Sequence, residues 1–147
     1  MKKIIFFSLI IALIIGSCAK EKKSPVEGIW KLTYGMWYKW NPGDTLTYKF
    51  PGNMAIYHIK IFSKEDVTFV GHYNLDTLTH DNYGGGTYKL QGERYEETLL
   101  YAGKSIFIRK IRMLLEVRND TLIQKWPTDE NWKLAEKYNI EKYIRLK

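Results

Sequence analysis

The chain has one cysteine among 147 residues, so no internal disulfide can brace it and its stability must come from a core. It has three histidines, His58, His72 and His80, and their spacing fits no metal site. No serine or cysteine sits in a nucleophile elbow. Glu96 and Glu97 are neighbours on a strand, so they point to opposite faces and cannot work as a carboxylate pair. Gly84-Gly85-Gly86 precedes a strand rather than a helix; it is read as a flexible turn, not a phosphate cradle. The sequence therefore offers no catalytic residues, no metal ligands and no cofactor motif. No apolar run reaches the ~20 residues that a membrane-spanning helix needs.

The longest apolar run is residues 4–15, interrupted by Ser8 and Ala12. It follows Lys2 and Lys3 and ends in Ile15-Gly16-Ser17-Cys18. A positive start, a short apolar stretch and small residues before a cysteine form a bacterial export signal with a lipobox. Residues 1–17 are thus expected to be a cleaved signal peptide, with a lipid attached to Cys18. Several acyl chains on one residue hold a protein to a membrane almost permanently, at ~0.8 kcal/mol per buried methylene. Residues 18–25, CAKEKKSP, are short, charged and without periodicity, and read as a tether. Residues 26–147 read as one domain. The expected location is the cell envelope of a Gram-negative bacterium, lipid-anchored in the outer membrane, facing either the periplasm or the exterior.

Removing Lys2 and Lys3 leaves 21 basic against 16 acidic residues, a net +5. An exported protein does not meet the genome, so this charge does not indicate nucleic acid. A lysine-rich solvated exterior explains it, with some attraction to anionic lipid or polysaccharide. Oligomeric state is left open.

Aromatic residues make up 15% of the chain, which favours strands. Trp30, Leu32, Tyr34, Met36, Tyr38 and Trp40 fall on alternate positions, the period of a half-buried strand. Further strands are expected at residues 45–50, 54–62, 67–73, 87–91, 95–101, 105–118, 121–126 and 140–146, with weak helical character at 129–138. Tight turns separate them, and consecutive hairpins favour an all-β, antiparallel up-and-down barrel, which leaves no exposed edge.

The middle of the chain permits a register. A Gly92-Glu93 turn sets Leu90 opposite Tyr95, Lys89 opposite Glu96 and Tyr88 opposite Glu97. A three-residue loop at Ala102-Gly103-Lys104 sets Glu97 opposite Arg109 and Leu99 opposite Phe107. One face is then polar. The other carries Tyr88, Leu90, Tyr95, Leu99, Phe107, Ile111 and Met113 around Tyr88, Glu97 and Arg109. These three read either as a buried pair that fixes register or as a ligand-binding handle, with the arginine fork taking a ligand carboxylate.

Gly28-Ile29-Trp30 at the start of the first strand resembles the glycine-x-tryptophan signature of lipocalins. The runs GGGTYKLQGERYEE at residues 84–97 and EKYIRLK at 141–147 resemble small lipocalin-like lipoproteins of Gram-negative bacteria. The resemblance implies a barrel of eight to ten strands, closed at one end, that would bind a small hydrophobic or amphiphilic molecule. It also implies that Arg145 packs across Trp30, making Gly28, Trp30 and Arg145 a structural signature. The alternative is a filled barrel, an envelope interaction module or a glycan-binding one, on which Trp37, Trp126 and Trp132 would form a stacking surface. Asp-Thr-Leu occurs three times, which is turn chemistry or, by resemblance, a glycosylation acceptor at Thr45, Thr77 and Thr121.

Overall fold

The alternating stretches become strands, and the described chain contains no helix. The computed structural model describes residues 23–38, 47–75 and 78–147. The signal at 1–17, Cys18, Thr45 and Thr77 lie outside the described residues. The strands are β1 (Gly28–Tyr38), β2 (Thr47–Phe50), β3 (Ala55–Phe62), β4 (Asp66–Leu75), β5 (Leu78–Gln91), β6 (Arg94–Ala102), β7 (Ser105–Arg118), β8 (Thr121–Thr128) and β9 (Leu134–Leu146). Each strand from β3 to β9 pairs antiparallel with the next, and β1 joins β3 to β9. Eight strands thus close an up-and-down barrel. β2 lies outside that ring. β1 forks: residues 28–31 pair with β3, while 35–38 pair with β2.

A register shift between Leu32 and Tyr34 corrects the alternation expected for β1. Trp30 and Leu32 are buried as expected, but past the shift Gly35 and Trp37 turn inward in place of Tyr34 and Met36. Gly35 makes room for this. A Cβ there would lie 1.8 Å from the Trp37 ring.

The three glycines at 84–86 form no turn; they sit inside the 14-residue β5. Their lack of side chains lets neighbouring backbone come close at a second bulge, between Gly85 and Gly86. A Cβ on Gly86 would lie 2.0 Å from the Thr98 carbonyl oxygen.

The expected helix at 129–138 is also absent. The Asp129 carboxylate accepts the backbone N–H groups of Asn131 and Lys133, at 2.9 and 2.8 Å. This local turn starts a new strand at Leu134, which pairs back onto Thr128.

The closed end is filled by packed side chains, among them Val26, Trp30, Phe62, Val67, Tyr88, Tyr95, Leu115, Leu122 and Tyr143. Tyr88 stacks on Tyr95 at 5.6 Å, and Phe62 meets both edge-on. The Tyr88 hydroxyl donates to the Ser63 carbonyl at 2.8 Å in the β3–β4 turn, tying down this end. The segment before β1 enters here. The opposite end, by the β4–β5, β6–β7 and β8–β9 turns, is less completely filled.

Candidate functional site

The β5–β6 hairpin has the expected register: Tyr88 faces Glu97, Lys89 faces Glu96 and Leu90 faces Tyr95. Gly92 takes φ 63° at the first turn position, as a type II′ turn requires. The β6–β7 register differs. Its turn has two residues, Gly103-Lys104, so Ala102 pairs with Ser105. A bulge between Leu99 and Tyr101 adds a second offset of one residue. The two offsets sum to two, so the faces are preserved and the partners move. Glu97 faces Ile111, and Arg109 faces Leu99. Arg109 is exposed near the rim, and the Tyr88 hydroxyl is engaged at the opposite end. The expected Glu97–Arg109 pair does not form, and Tyr88, Glu97 and Arg109 do not converge.

Glu97 instead borders a cavity of about 350 Å³ in the less filled part of the barrel. Its apolar wall comes from Trp37, Phe69, Leu99, Ile111, Met113 and Trp126. Its polar side comes from His58 and Lys60 of β3, Tyr73 of β4, Glu97 of β6 and Glu141 of β9. The Lys60 ammonium donates to Gln124 Oε1 at 2.8 Å and lies 4.0 Å from Glu141 Oε2. Glu141 also accepts the Trp37 indole N–H at 3.0 Å and the Tyr143 hydroxyl. Glu97 accepts the Tyr95 hydroxyl at 2.8 Å.

Burial sets the protonation of His58, Tyr73, Tyr95 and Tyr143. His58 is held at a pKa of about 3, first by desolvation and then by the Lys60 charge, so it is neutral at pH 7. Burial, then Glu141, raises the Tyr73 hydroxyl, which therefore keeps its proton and lies 2.9 Å from His58 Nδ1. His58 Nε2 is buried without a hydrogen-bond partner among the described residues. Tyr95 and Tyr143 are raised well above the usual tyrosine value by burial and by the carboxylates they serve, so both remain donors.

No family model matches this chain, and no curated protein is found similar to it.

The sequence predicts a strand over this part of β3 but not which face turns inward. His58 and Lys60 point inward, while Tyr57 and Ile61 point out. Two alternations with period 2 look alike in sequence, and here the less apolar one faces inward. The usable signal was Phe62, whose inward parity carries Lys60 and His58 with it.

At the closed end, Arg145 lies opposite Trp30 across the β1–β9 seam, its guanidinium carbon 4.1 Å from the ring centre. It donates to the Pro25 carbonyl at 2.8 Å and to the Glu27 carbonyl. Gly28 sits beneath it; a Cβ there would meet the guanidinium at 2.8 Å. Thr121 is half-buried at the start of β8. Of the tryptophans considered for a surface, Trp37 and Trp126 line the cavity, and Trp132 packs under Arg112 at 5.9 Å. His72 and Asp81 pair at 2.7 Å across β4–β5 on the outer face, whereas His80 borders the cavity. Among the described residues no group of three metal-ligating side chains occurs.

Proposed function

We propose that this chain is a lipid-anchored, lipocalin-like barrel that holds a small amphiphilic molecule in its interior. The observation that carries the reading is the cavity of about 350 Å³, with an apolar wall and a few polar groups placed at one side. Its size and lining match those of small-ligand sites. The anchor rests on the lipobox ending at Cys18. The chain enters the barrel at its closed end, so a barrel tethered there would carry its mouth away from the bilayer.

Titration with the neutral fluorophore N-phenyl-1-naphthylamine tests the binding claim. The expected result is a saturable fluorescence rise in the wild type that Leu99→Trp abolishes, because the larger side chain fills the cavity. No saturable binding, or equal binding by the variant, contradicts the reading. For the anchor, Cys18→Ser is expected to release the protein from the membrane fraction. Retention of that variant contradicts it.

A second reading, an envelope interaction module, is favoured by Ile106 and Ile108, which stand 92% and 78% exposed beside the β6–β7 turn. Under that reading Ile106→Ser with Ile108→Ser loses a cross-linked envelope partner and leaves fluorophore binding unchanged.

A further inference from the structure

The interior charges do not cancel. Lys60 stands between Glu141 and Gln124, and Glu141 is further satisfied by Trp37 and Tyr143. Glu97 borders the same cavity and is only 2% exposed. Among the described residues it pairs with no cation, and the Tyr95 hydroxyl supplies its hydrogen bond. Arg109, the cation once expected beside it, is exposed and paired with Leu99. A carboxylate taken from water without a counter-charge costs several kcal/mol. His58 is neutral and cannot supply that charge. The cavity is also walled by the rings of Trp37, Phe69, Tyr73 and Trp126. Ring faces attract cations, most strongly where water is excluded.

We propose that the ligand is an organic amine, with its ammonium against Glu97 and its apolar body among these rings. This rests on the reading of the cavity as a binding site and fixes the sign of the charge that it selects. The handle is the reverse of the arginine fork expected from the sequence, which would have taken an acid.

Three probes with one apolar body test it: 4-phenylbutylamine, 4-phenylbutanol and 5-phenylpentanoate, titrated calorimetrically into the full chain at neutral pH. The amine is expected to bind at least about tenfold tighter than the alcohol, with the acid weakest. Glu97→Gln should reduce the preference for the amine over the alcohol from at least about tenfold to about onefold. An amine that binds no better than the alcohol, or an acid that binds tightest, overturns the proposal. The wild-type ranking decides even if Glu97→Gln fails to fold. Binding of the alcohol, or of N-phenyl-1-naphthylamine, without preference for the amine leaves the cavity reading standing and removes only the charge selection. Absence of all binding removes both.

Discussion

Arg145 lies across the face of Trp30, 4.1 Å from the ring centre, and its two amino groups reach back to the chain that enters the barrel. Trp30 in turn donates its indole N–H to the Val26 carbonyl at 2.6 Å. First strand, last strand and entry segment are thereby joined at one point. Arg145→Ala removes a stacked cation and two charge-assisted hydrogen bonds, and is expected to destabilise the barrel by about 2 kcal/mol in urea unfolding. Arg145→Lys should recover only part of this, since an ammonium cannot stack and fork together. Full recovery by lysine would show that charge alone matters here.

Gly86 and Gly92 should respond differently to the same change. A methyl at Gly86 meets the Thr98 carbonyl at 2.0 Å, so two strands must separate. Gly86→Ala is expected to cost ~3 kcal/mol or more. Gly92 has open space around it and only its φ of 63° to lose, so Gly92→Ala should cost ~1 kcal/mol. Equal losses in chemical denaturation would contradict the close strand approach at the bulge.

His58 ties stability to pH. Its folded pKa of about 3 lies below the ordinary 6.5 of the unfolded chain, so between these values the unfolded state binds the extra proton. Stability is therefore fully present above pH 6.5 and falls as the pH drops towards 3, by up to ~1.4 kcal/mol per unit from this group. His58→Phe should flatten that slope in denaturation curves measured between pH 6.5 and 4. A variant with an unchanged slope would place the proton uptake elsewhere.

Lys60 and Glu141 form a coupled pair. Lys60→Met leaves Glu141 and Gln124 facing a missing partner, at an expected cost of ~3–5 kcal/mol. Adding Glu141→Gln should return at least ~1 kcal/mol of it in a double-mutant cycle. Additive losses would show that the two groups do not interact across their 4.0 Å separation.

Much of the barrel was legible because period-2 patterns and glycine turns are local. The β5–β6 register followed from Gly92 alone. Part of what failed was set by close approach of backbone. Bulges at Thr33, at Gly85-Gly86 and beside Leu100 each shift a strand by one residue, and no side-chain pattern announces them. The same limit governed the site. Glu97 was recognised as an inward charge because its face was right, while Arg109 was misplaced because two offsets added. The inward positions of Lys60, His58 and Glu141 are not legible in the sequence, because the Ile and Tyr residues at the intervening positions of β3 and the Ile residues at those of β9 look more like a core than they do.

Native mass spectrometry of the full-length protein, extracted gently from its own cells, tests the central claim most directly: that the barrel's cavity is a container. The wild type should carry a releasable small molecule that the Leu99→Trp form lacks. Wild type and variant both emerging bare would contradict it.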